Sequence, residues 1–318
     1  MSRKAPIVSV ILPTFNRADL VLESIHSILG QTYKNYELIV IDDGSVDNTR
    51  EQLSPLVKEG LLKYAYQENS GLPAARNHGI RLAKGSLITF LDSDDLYLPE
   101  KLEKQAAFFE EHPEAQMLQC WFSKFNDQSE DLGVRDTSWF EGQIYPDILM
   151  QWSVLMAVSC VMMRREVLDK VGPFNESLLW GEDLDLWRRV ARHFPFYMIP
   201  ESLVKVRVHA SNMSSDKSQG AKHFAVVLEE AFIDDPSTSP EFQKKAWASM
   251  YTNVAHNLLG QGPREHMGLV RDYSLKALAF QLLNLGALIA LPASLLPFRL
   301  RMWLVKQLRK LRYPAKHS

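Results

Sequence analysis

Residues 87–95 constrain this chain more than any other stretch. Leu87, Ile88, Thr89, Phe90 and Leu91 form a short apolar run that ends in Asp92, Ser93, Asp94 and Asp95. Such a run reads as a buried strand. Carboxylates packed this closely repel one another, and at the end of a buried strand they need a counter-charge, for which a divalent cation with oxygen ligands is the natural candidate. Mg²⁺ or Mn²⁺ held by one or two protein carboxylates completes its shell with water and substrate phosphates, so the cluster points toward an anionic ligand. The same four residues are also good turn and helix-capping material, and the residues after them lead into a helix. The rest of the chain has to decide.

Ahead of this cluster, apolar runs alternate with helical patterns. Residues 7–12 are rich in β-branched side chains and are closed by Pro13; after Asn16, Val21, Ile25, Ile28 and Leu29 fall on one helical face. Residues 36–41 predict a second strand, which ends in Asp42, Asp43, Gly44 and Ser45, followed by a helix from about Asp47 and a third strand over 62–66. Pro73 suits a first helical turn, and the helix it opens runs through Leu82 and terminates at Gly85. Strands alternating with helices in this way predict a parallel sheet with its ligand at the carboxyl ends of the strands, where Pro13, Thr14, Asp42, Asp43 and the acids 92–95 all lie. Beyond it the pattern predicts a helix over 99–111, a strand over 115–121, a polar loop over 124–142, and a strand over 159–163. A helix opening on the acidic turn at Glu182 and Asp183 and a last strand over 204–208, ending at His209, complete this part.

With 318 residues, 46% of them hydrophobic, the chain has material for a large core without staples. Cys120 and Cys160 make neither a disulfide framework nor a zinc pattern and read as small core residues in a reducing compartment. Residues 1–6 pass directly into a strand with no signal-peptide pattern, so the catalytic part is expected in the cytosol. No Gly-x-Gly-x-x-Gly follows the opening strand and no Gly-x-x-x-x-Gly-Lys-Ser/Thr occurs, which removes support for a dinucleotide dehydrogenase or a P-loop nucleotidase.

Each remaining candidate has two readings when taken singly. Asp42 and Asp43 begin a turn, or a carboxylate there accepts the imide N–H of a uracil or thymine. Arg76 is a solvated helix arginine, or a guanidinium that meets a nucleotide or an acid. Glu182 and Asp183 complement a helix N-terminus, or one of them is a general base. His209 is a surface histidine, or an imidazole near metal and phosphate.

Taken together, Pro13-Thr14-Phe15-Asn16-Arg17, Asp42-Asp43-Gly44-Ser45, Ala75-Arg76-Asn77-x-Gly79, Asp92-Ser93-Asp94-Asp95, Gly181-Glu182-Asp183 and His209-x-x-Asn212-x-Ser214 occur in an order and spacing that resembles family 2 glycosyltransferases. The resemblance covers residues 6–214. It implies an α/β chain of the GT-A (nucleotide-diphospho-sugar transferase) fold, a Rossmann-like mixed sheet with flanking helices. It implies a catalytic domain over 1–214, with a nucleotide-binding part over about 6–97 and an acceptor-binding part over about 98–214. Pro13, Thr14, Asn16, Arg17, Asp42, Asp43, Arg76, Asp92 and Ser93 would bind the nucleotide-sugar, Asp42 facing the base. Asp92 and Asp94 match the family's Asp-x-Asp, and Asp94, Asp95 and His209 would surround Mg²⁺ or Mn²⁺. Asp183 matches the catalytic base, with Glu182 beside it. The implied activity is inverting transfer of a sugar from a nucleotide-diphosphate donor, expected to be UDP-linked, to a hydroxyl of a glycan or lipid-linked acceptor. That acceptor would enter over residues 124–180, where Trp139, Trp152 and Trp180 offer stacking surfaces. Two rivals are a phosphatase or phosphotransferase with Asp92 as nucleophile, and a glycan- or nucleotide-binding scaffold without turnover.

Residues 215–318 predict a helical region, with Pro236, Pro240 and Pro263 as breaks. Residues 277–296 are nearly all apolar and long enough to cross a bilayer, but Gln281, Asn284, Pro292 and Ser294 interrupt them, which equally suits a re-entrant, in-plane or docked segment. Leu300, Trp303, Leu304, Leu308 and Leu311 then share a helical face ringed by Arg299, Lys306, Arg309, Lys310 and Arg312. From Arg264 onward there are 10 Lys and Arg against 2 Asp and Glu, so a tail of about +8 follows a remainder of about −10. A basic amphipathic helix predicts attachment to an anionic membrane surface, hence a peripheral or monotopic protein at the cytoplasmic face, and the same pattern also suits a solvated basic helix packed on the domain or on an oligomer partner. An acidic catalytic part with no reading module argues against nucleic acid as partner.

Overall fold

The structure, a computed structural model, describes residues 7–135, 141–150, 157–209, 220–261, 266–297 and 300. The chain divides into two compact units, one formed by residues 1–148 with 156–212, the other by 149–155 with 213–318.

In the first unit, β1 (Val8–Thr14), β2 (Tyr36–Asp42), β3 (Lys63–Tyr66) and β4 (Leu87–Phe90) lie parallel in the order β3-β2-β1-β4. Every residue of β1 is buried. A central parallel strand is covered on both faces by helices, which is why Val8, Val10, Ile11 and Leu12 read as one apolar run rather than an alternation. The helices α1 (Ala18–Leu29), α2 (Thr49–Lys58) and α3 (Leu72–Leu82) make the crossovers. The face that α1 buries includes Val21, Ile25 and Ile28, as their spacing predicts. The approach of α3 to β1 is so close that a methyl group on Gly79 would stand 2.3 Å from Ile11 Cγ2, so only glycine fits there without repacking.

Past β4 the sheet becomes mixed, as the resemblance implies. After the short β5 (Leu96–Tyr97) and α4 (Lys101–Glu111), the strand expected over 115–121 is β6 (Met117–Asn126), and it pairs antiparallel with β7 (Asp131–Arg135), which lies inside the segment expected as a polar loop. All five residues of β7 are exposed, so no apolar alternation announces it. β8 (Met162–Arg164) runs antiparallel to both β4 and β6 and turns the sheet mixed. It begins later than expected, because residues Val158–Cys160 form a 3₁₀ turn. Then α5 (Arg165–Val171) and α6 (Glu182–Ala191) lead to β9 (Phe196–Val208), which pairs parallel with β6 and antiparallel with β5.

Beneath the acidic end of β4, Lys101 is fully buried and donates to Thr89 Oγ1 at 2.6 Å, with its ammonium 4.0 Å from the centroid of the Tyr97 ring. Burial pushes its pKa down to about 7. Cys120 and Cys160 are both buried and unpaired by disulfide, as expected of core residues.

The second unit is helical: α7 (Gly220–Asp234), α8 (Pro240–Gln261), α9 (Met267–Phe280) and α10 (Leu285–Ala293). The apolar stretch 277–296 is divided between two helices. α9 ends at Phe280, and Asn284 restarts the helix by accepting the Ala287 N–H at 2.9 Å, an N-cap that the polar interruptions encode. Among the described residues, no helix is long and apolar enough to cross a membrane. The basic face over 299–312 lies outside them, Leu300 excepted.

Candidate active site

The parallel register sets Thr14 beside Asp42 and Asp42 beside Tyr66, so the ends of β1 and β2 open at one edge of the sheet. Asp42 accepts the Ser45 N–H at 2.8 Å with one oxygen and the Tyr64 hydroxyl at 2.6 Å with the other. Burial and then the charge of Asp42 raise the Tyr64 pKa, which keeps that hydroxyl a donor. Each oxygen of Asp42 accepts only one of these bonds and keeps a lone pair for a ligand N–H. Asp43 shapes the loop into α3 by accepting from Gln67 Nε2 at 2.7 Å and from the N–H groups of Ser70 and Gly71 at 2.9 Å each. Asn16, at a φ of 50°, accepts the Val46 N–H at 2.8 Å and donates its own N–H to Ser45 Oγ at 2.9 Å, which ties the loop after β1 to the loop after β2. Pro13 continues the register beside Ile41, and Thr14 Oγ1 is buried without a hydrogen-bond partner at the strand end.

Three consecutive features of α3 explain its motif. Gly79 admits the helix to the sheet. Asn77 grips the segment ahead of α6, its amide bonding both the N–H and the carbonyl of Phe174 at 2.9 Å. Arg76, buried, bridges two acids from distant parts of the chain, with Asp92 at 2.8 Å and Glu182 at 2.7 Å. Burial opposes its charge, but the two carboxylates outweigh that and raise its pKa, so it stays a cation. Its Nε is left without a partner.

Asp183 follows Glu182 at the first turn of α6, which starts from Gly181 in a left-handed conformation at a φ of 73°. Burial, then the neighbouring Glu182, push the Asp183 carboxyl up to about 7 against the lowering effect of Arg76 and the Leu184 N–H. A partly exposed carboxyl that titrates near neutrality is matched to taking a proton from a hydroxyl. α6 itself is held from its other end, where Arg189 donates to the carbonyls of Val171, Gly172 and Pro173 and to Asp185.

At the other side of the acidic cluster, Asp94 Oδ2, His209 Nε2 and an Arg17 Nη1 converge. Arg17 is 2.8 Å from Asp94 and 3.0 Å from His209, and the last two are 3.0 Å apart. Standing 3.0 Å apart, this carboxylate and imidazole have the chemistry to hold a divalent cation in place of the guanidinium. Asp95 is not part of that pair. One of its oxygens accepts from Ser159 Oγ at 2.7 Å and the other from the Arg207 N–H at 3.1 Å, and burial followed by the charges of Asp94 and Asp92 raises its pKa well above the usual carboxylate range. The expected trio of Asp94, Asp95 and His209 does not converge on one point, and among the described residues no group of three His, Cys, Asp or Glu side chains is placed to hold a metal. Ser93 is buried between the two acids. Trp180 is partly exposed just ahead of Gly181, while Trp139 and Trp152 lie outside the described residues.

Two contributors are absent from the sequence reading. Ser159 also accepts the Asp92 N–H at 3.2 Å, and Arg207 reaches the Asp94 carbonyl at 3.1 Å and Glu23 at 2.6 Å. Together they fix the turn that carries all three acids. The one sequence signal for Arg207 is a cation two residues before His209 on a strand that ends at the site.

The model of glycosyl transferase family 2 matches residues 9–172. A protein of Rickettsia felis called an uncharacterized glycosyltransferase is 36% identical over 201 residues, 63% of this chain and 33% of its own length. The chain thus spans about a third of the length of that relative. The putative teichuronic acid biosynthesis glycosyltransferase TuaG of Bacillus subtilis is 32% identical over 237 residues, 72% of this chain and 90% of TuaG. Among solved structures, S. aureus TarS 1-349 in complex with UDP-GlcNAc superposes with a TM-score of 0.64 at 18% identity and 90% coverage of both chains. The mannosyltransferase PcManGT from Pyrobaculum calidifontis, in complex with GDP-Man and Mn²⁺, gives 0.58 at 20% identity, covering 99% of this chain and 89% of that one. At these identities the likeness establishes the fold, a GT-A mixed sheet with flanking helices.

Proposed function

The chain belongs to glycosyl transferase family 2, and on that premise we propose that it is an inverting glycosyltransferase that moves a sugar from a nucleotide-diphosphate donor, UDP-linked in our reading, to a hydroxyl of a glycan or lipid-linked acceptor. The observation that carries the proposal is the pairing, through Arg76, of the strand-end acid Asp92 with the helix that presents Asp183. It joins a site for a polar donor to a base poised near neutrality.

In this reading the donor's base meets Asp42, whose free lone pairs accept an imide N–H, and Thr14 Oγ1 gains the partner it lacks. Asp92 and Asn16 hold the ribose and its surroundings, and Arg17 leaves Asp94 for the diphosphate. Asp94 and His209 would hold Mg²⁺ or Mn²⁺, which would supply a positive charge beside the diphosphate. Asp183 takes the proton of the acceptor hydroxyl as its oxygen attacks the anomeric carbon opposite the departing phosphate, so the configuration inverts. Glu182 keeps Arg76 in place and raises the basicity of Asp183. That neighbours of the same fold bind UDP-GlcNAc and GDP-Man supports a nucleotide-sugar as donor. The basic C-terminal segment attaches the protein to an anionic membrane surface at the cytoplasmic side, where a lipid-linked acceptor is presented. An Asp92 nucleophile, as a phosphatase would need, fits less well, because Arg76 neutralises that carboxylate.

The test is release of nucleoside diphosphate from a panel of UDP-, GDP- and dTDP-sugars with Mn²⁺ or Mg²⁺, for wild type, Asp94→Ala and Asp183→Asn. Turnover of one donor that needs metal and is lost in both variants is the expected result. Cleavage of a phosphate ester that depends on Asp92, with no donor bound or hydrolysed, would overturn it.

A further inference from the structure

In α10 the usual order of inside and outside is reversed. Its packed positions are Ala287, Ala290 and Ala293, all buried, while Leu285 is 74% and Leu288 42% exposed. Leu282 and Leu283, in the turn before it, are 81% and 82% exposed, and Leu295, just past its end, is 70% exposed. A helix folded against water buries its largest apolar side chains and shows its small or polar ones. Contiguous apolar ridges of this kind mark an interaction surface.

We propose that the turn 281–284 and the outward face of α10 insert into the apolar layer of an anionic lipid bilayer. Charge names the occupant. Residues 277–298 contain no Lys, Arg, Asp or Glu, and the stretch is bracketed by Lys276 and Arg299, within a tail that carries 10 basic and 2 acidic residues from Arg264 onward. Basic residues on either side of an uncharged apolar stretch of sequence match anionic headgroups above a hydrocarbon layer. A second copy of the chain would instead bring two tails of the same sign together. The side nearest the ridge is built for an interface as well. Phe280 ends α9 and stacks on Trp247 and Tyr251 at 5.9 and 6.0 Å, while the Lys276 ammonium lies 5.5 and 5.4 Å from the rings of Tyr251 and Tyr273. Aromatic and cationic side chains with an apolar body and a polar tip settle at the headgroup level. The break at residues 281–284 makes this an in-plane insertion and not a span. It goes beyond electrostatic attachment by the basic tail, since an inserted ridge holds at high salt, and it does not depend on the transfer reaction.

The experiment is co-sedimentation of the full chain with phosphatidylcholine vesicles containing about a third phosphatidylglycerol, at low salt and at a salt concentration that screens surface charge within a few ångströms. Wild type is expected to stay bound at high salt. Replacing Leu282, Leu283 and Leu285 together by Ser should lower the bound-to-free ratio about tenfold or more at high salt, as loss of three inserted leucines requires. These side chains are exposed, so the variant is expected to fold. Independently, Leu283→Cys labelled with a polarity-sensitive fluorophore should shift to the blue on addition of vesicles, the native cysteines being buried. The proposal falls if the triple variant sediments as wild type does or if the label stays in water. It also falls if the substitutions turn a dimer into a monomer while leaving vesicle binding unchanged.

Discussion

Arg76 Nη1 stands 2.7 Å from Glu182 Oε1, although 106 positions separate the two residues. The same guanidinium holds Asp92 at 2.8 Å, so one buried cation joins α3, the end of β4 and the start of α6. Removing one partner of a buried ion pair costs about 3–5 kcal/mol, because the charges left behind have neither water nor a counter-ion. Arg76→Met should therefore be destabilised by about that amount in denaturant unfolding. Arg76→Lys should recover little, since one ammonium cannot serve two carboxylates on separate nitrogens. Stability of Arg76→Met close to wild type would show that the bridge is not formed in solution.

The carboxyl of Asp183, raised to about 7, has consequences for both rate and stability. If it serves as the proposed base it must be ionised, so turnover is expected to rise with pH through an apparent pKa near 7 and then level off. For stability the sign is opposite. The folded state holds a proton that the unfolded chain has released above about pH 4, so stability falls as pH rises from about 4 to about 7. Asp183→Asn removes that fall. It should be inactive yet more stable than wild type at pH 8, by about 1 kcal/mol once solvent screening is allowed for, with the gap closing toward pH 4. Melting curves at both pH values check this.

The close approach at Gly79 offers a test of packing. A Cβ there would lie 2.3 Å from Ile11 Cγ2 and 3.2 Å from Cγ1. Helix propensity favours alanine over glycine by about 1 kcal/mol, whereas overpacking a core costs about 1–3 kcal/mol. Overpacking should win, leaving Gly79→Ala less stable than wild type. Combined with Ile11→Ala, which vacates the contested space, Gly79→Ala should cost less than it does alone. Additive effects in the double-mutant cycle would mean that the two residues do not touch.

What was legible in the sequence follows from locality. β1, β2 and β4 announce themselves because central strands are largely apolar, and the acids that follow β2 and β4 stand in the same few residues as the strands. β7 was not legible, because an exposed strand of Asp131, Leu132, Gly133, Val134 and Arg135 looks like a loop until β6 is there to pair with it. The strand expected at 204–208 begins at Phe196, its early part being interrupted by polar residues Glu201 and Ser202, where the register with β6 shifts. Within the site, the acids could be counted but not told apart. Whether Asp95 faces a ligand or the interior depends on Ser159 and Arg207, 64 and 112 positions away.

That distinction yields a contrast between adjacent acids. Asp94 shares its Oδ2 with His209 and Arg17, whereas Asp95 bonds Ser159 and the Arg207 N–H and is pushed toward its neutral form by burial and by Asp94 and Asp92. An amide mimics a neutral carboxyl, so Asp95→Asn should keep the Arg207 N–H bond on its oxygen, donate its own N–H to Ser159 Oγ, and retain the metal requirement and most of the turnover. Asp95→Ala should cost about 1–3 kcal/mol by leaving a buried hydroxyl and N–H unpaired. Asp94→Asn should fold normally but lower metal-dependent turnover by about 100-fold or more, since even residues that merely orient a metal ligand cost 10–100-fold. Titration of donor hydrolysis with Mn²⁺ in the three variants separates the roles. If Asp95→Asn lost its response to Mn²⁺ while Asp94→Asn kept it, the two acids would have to exchange places.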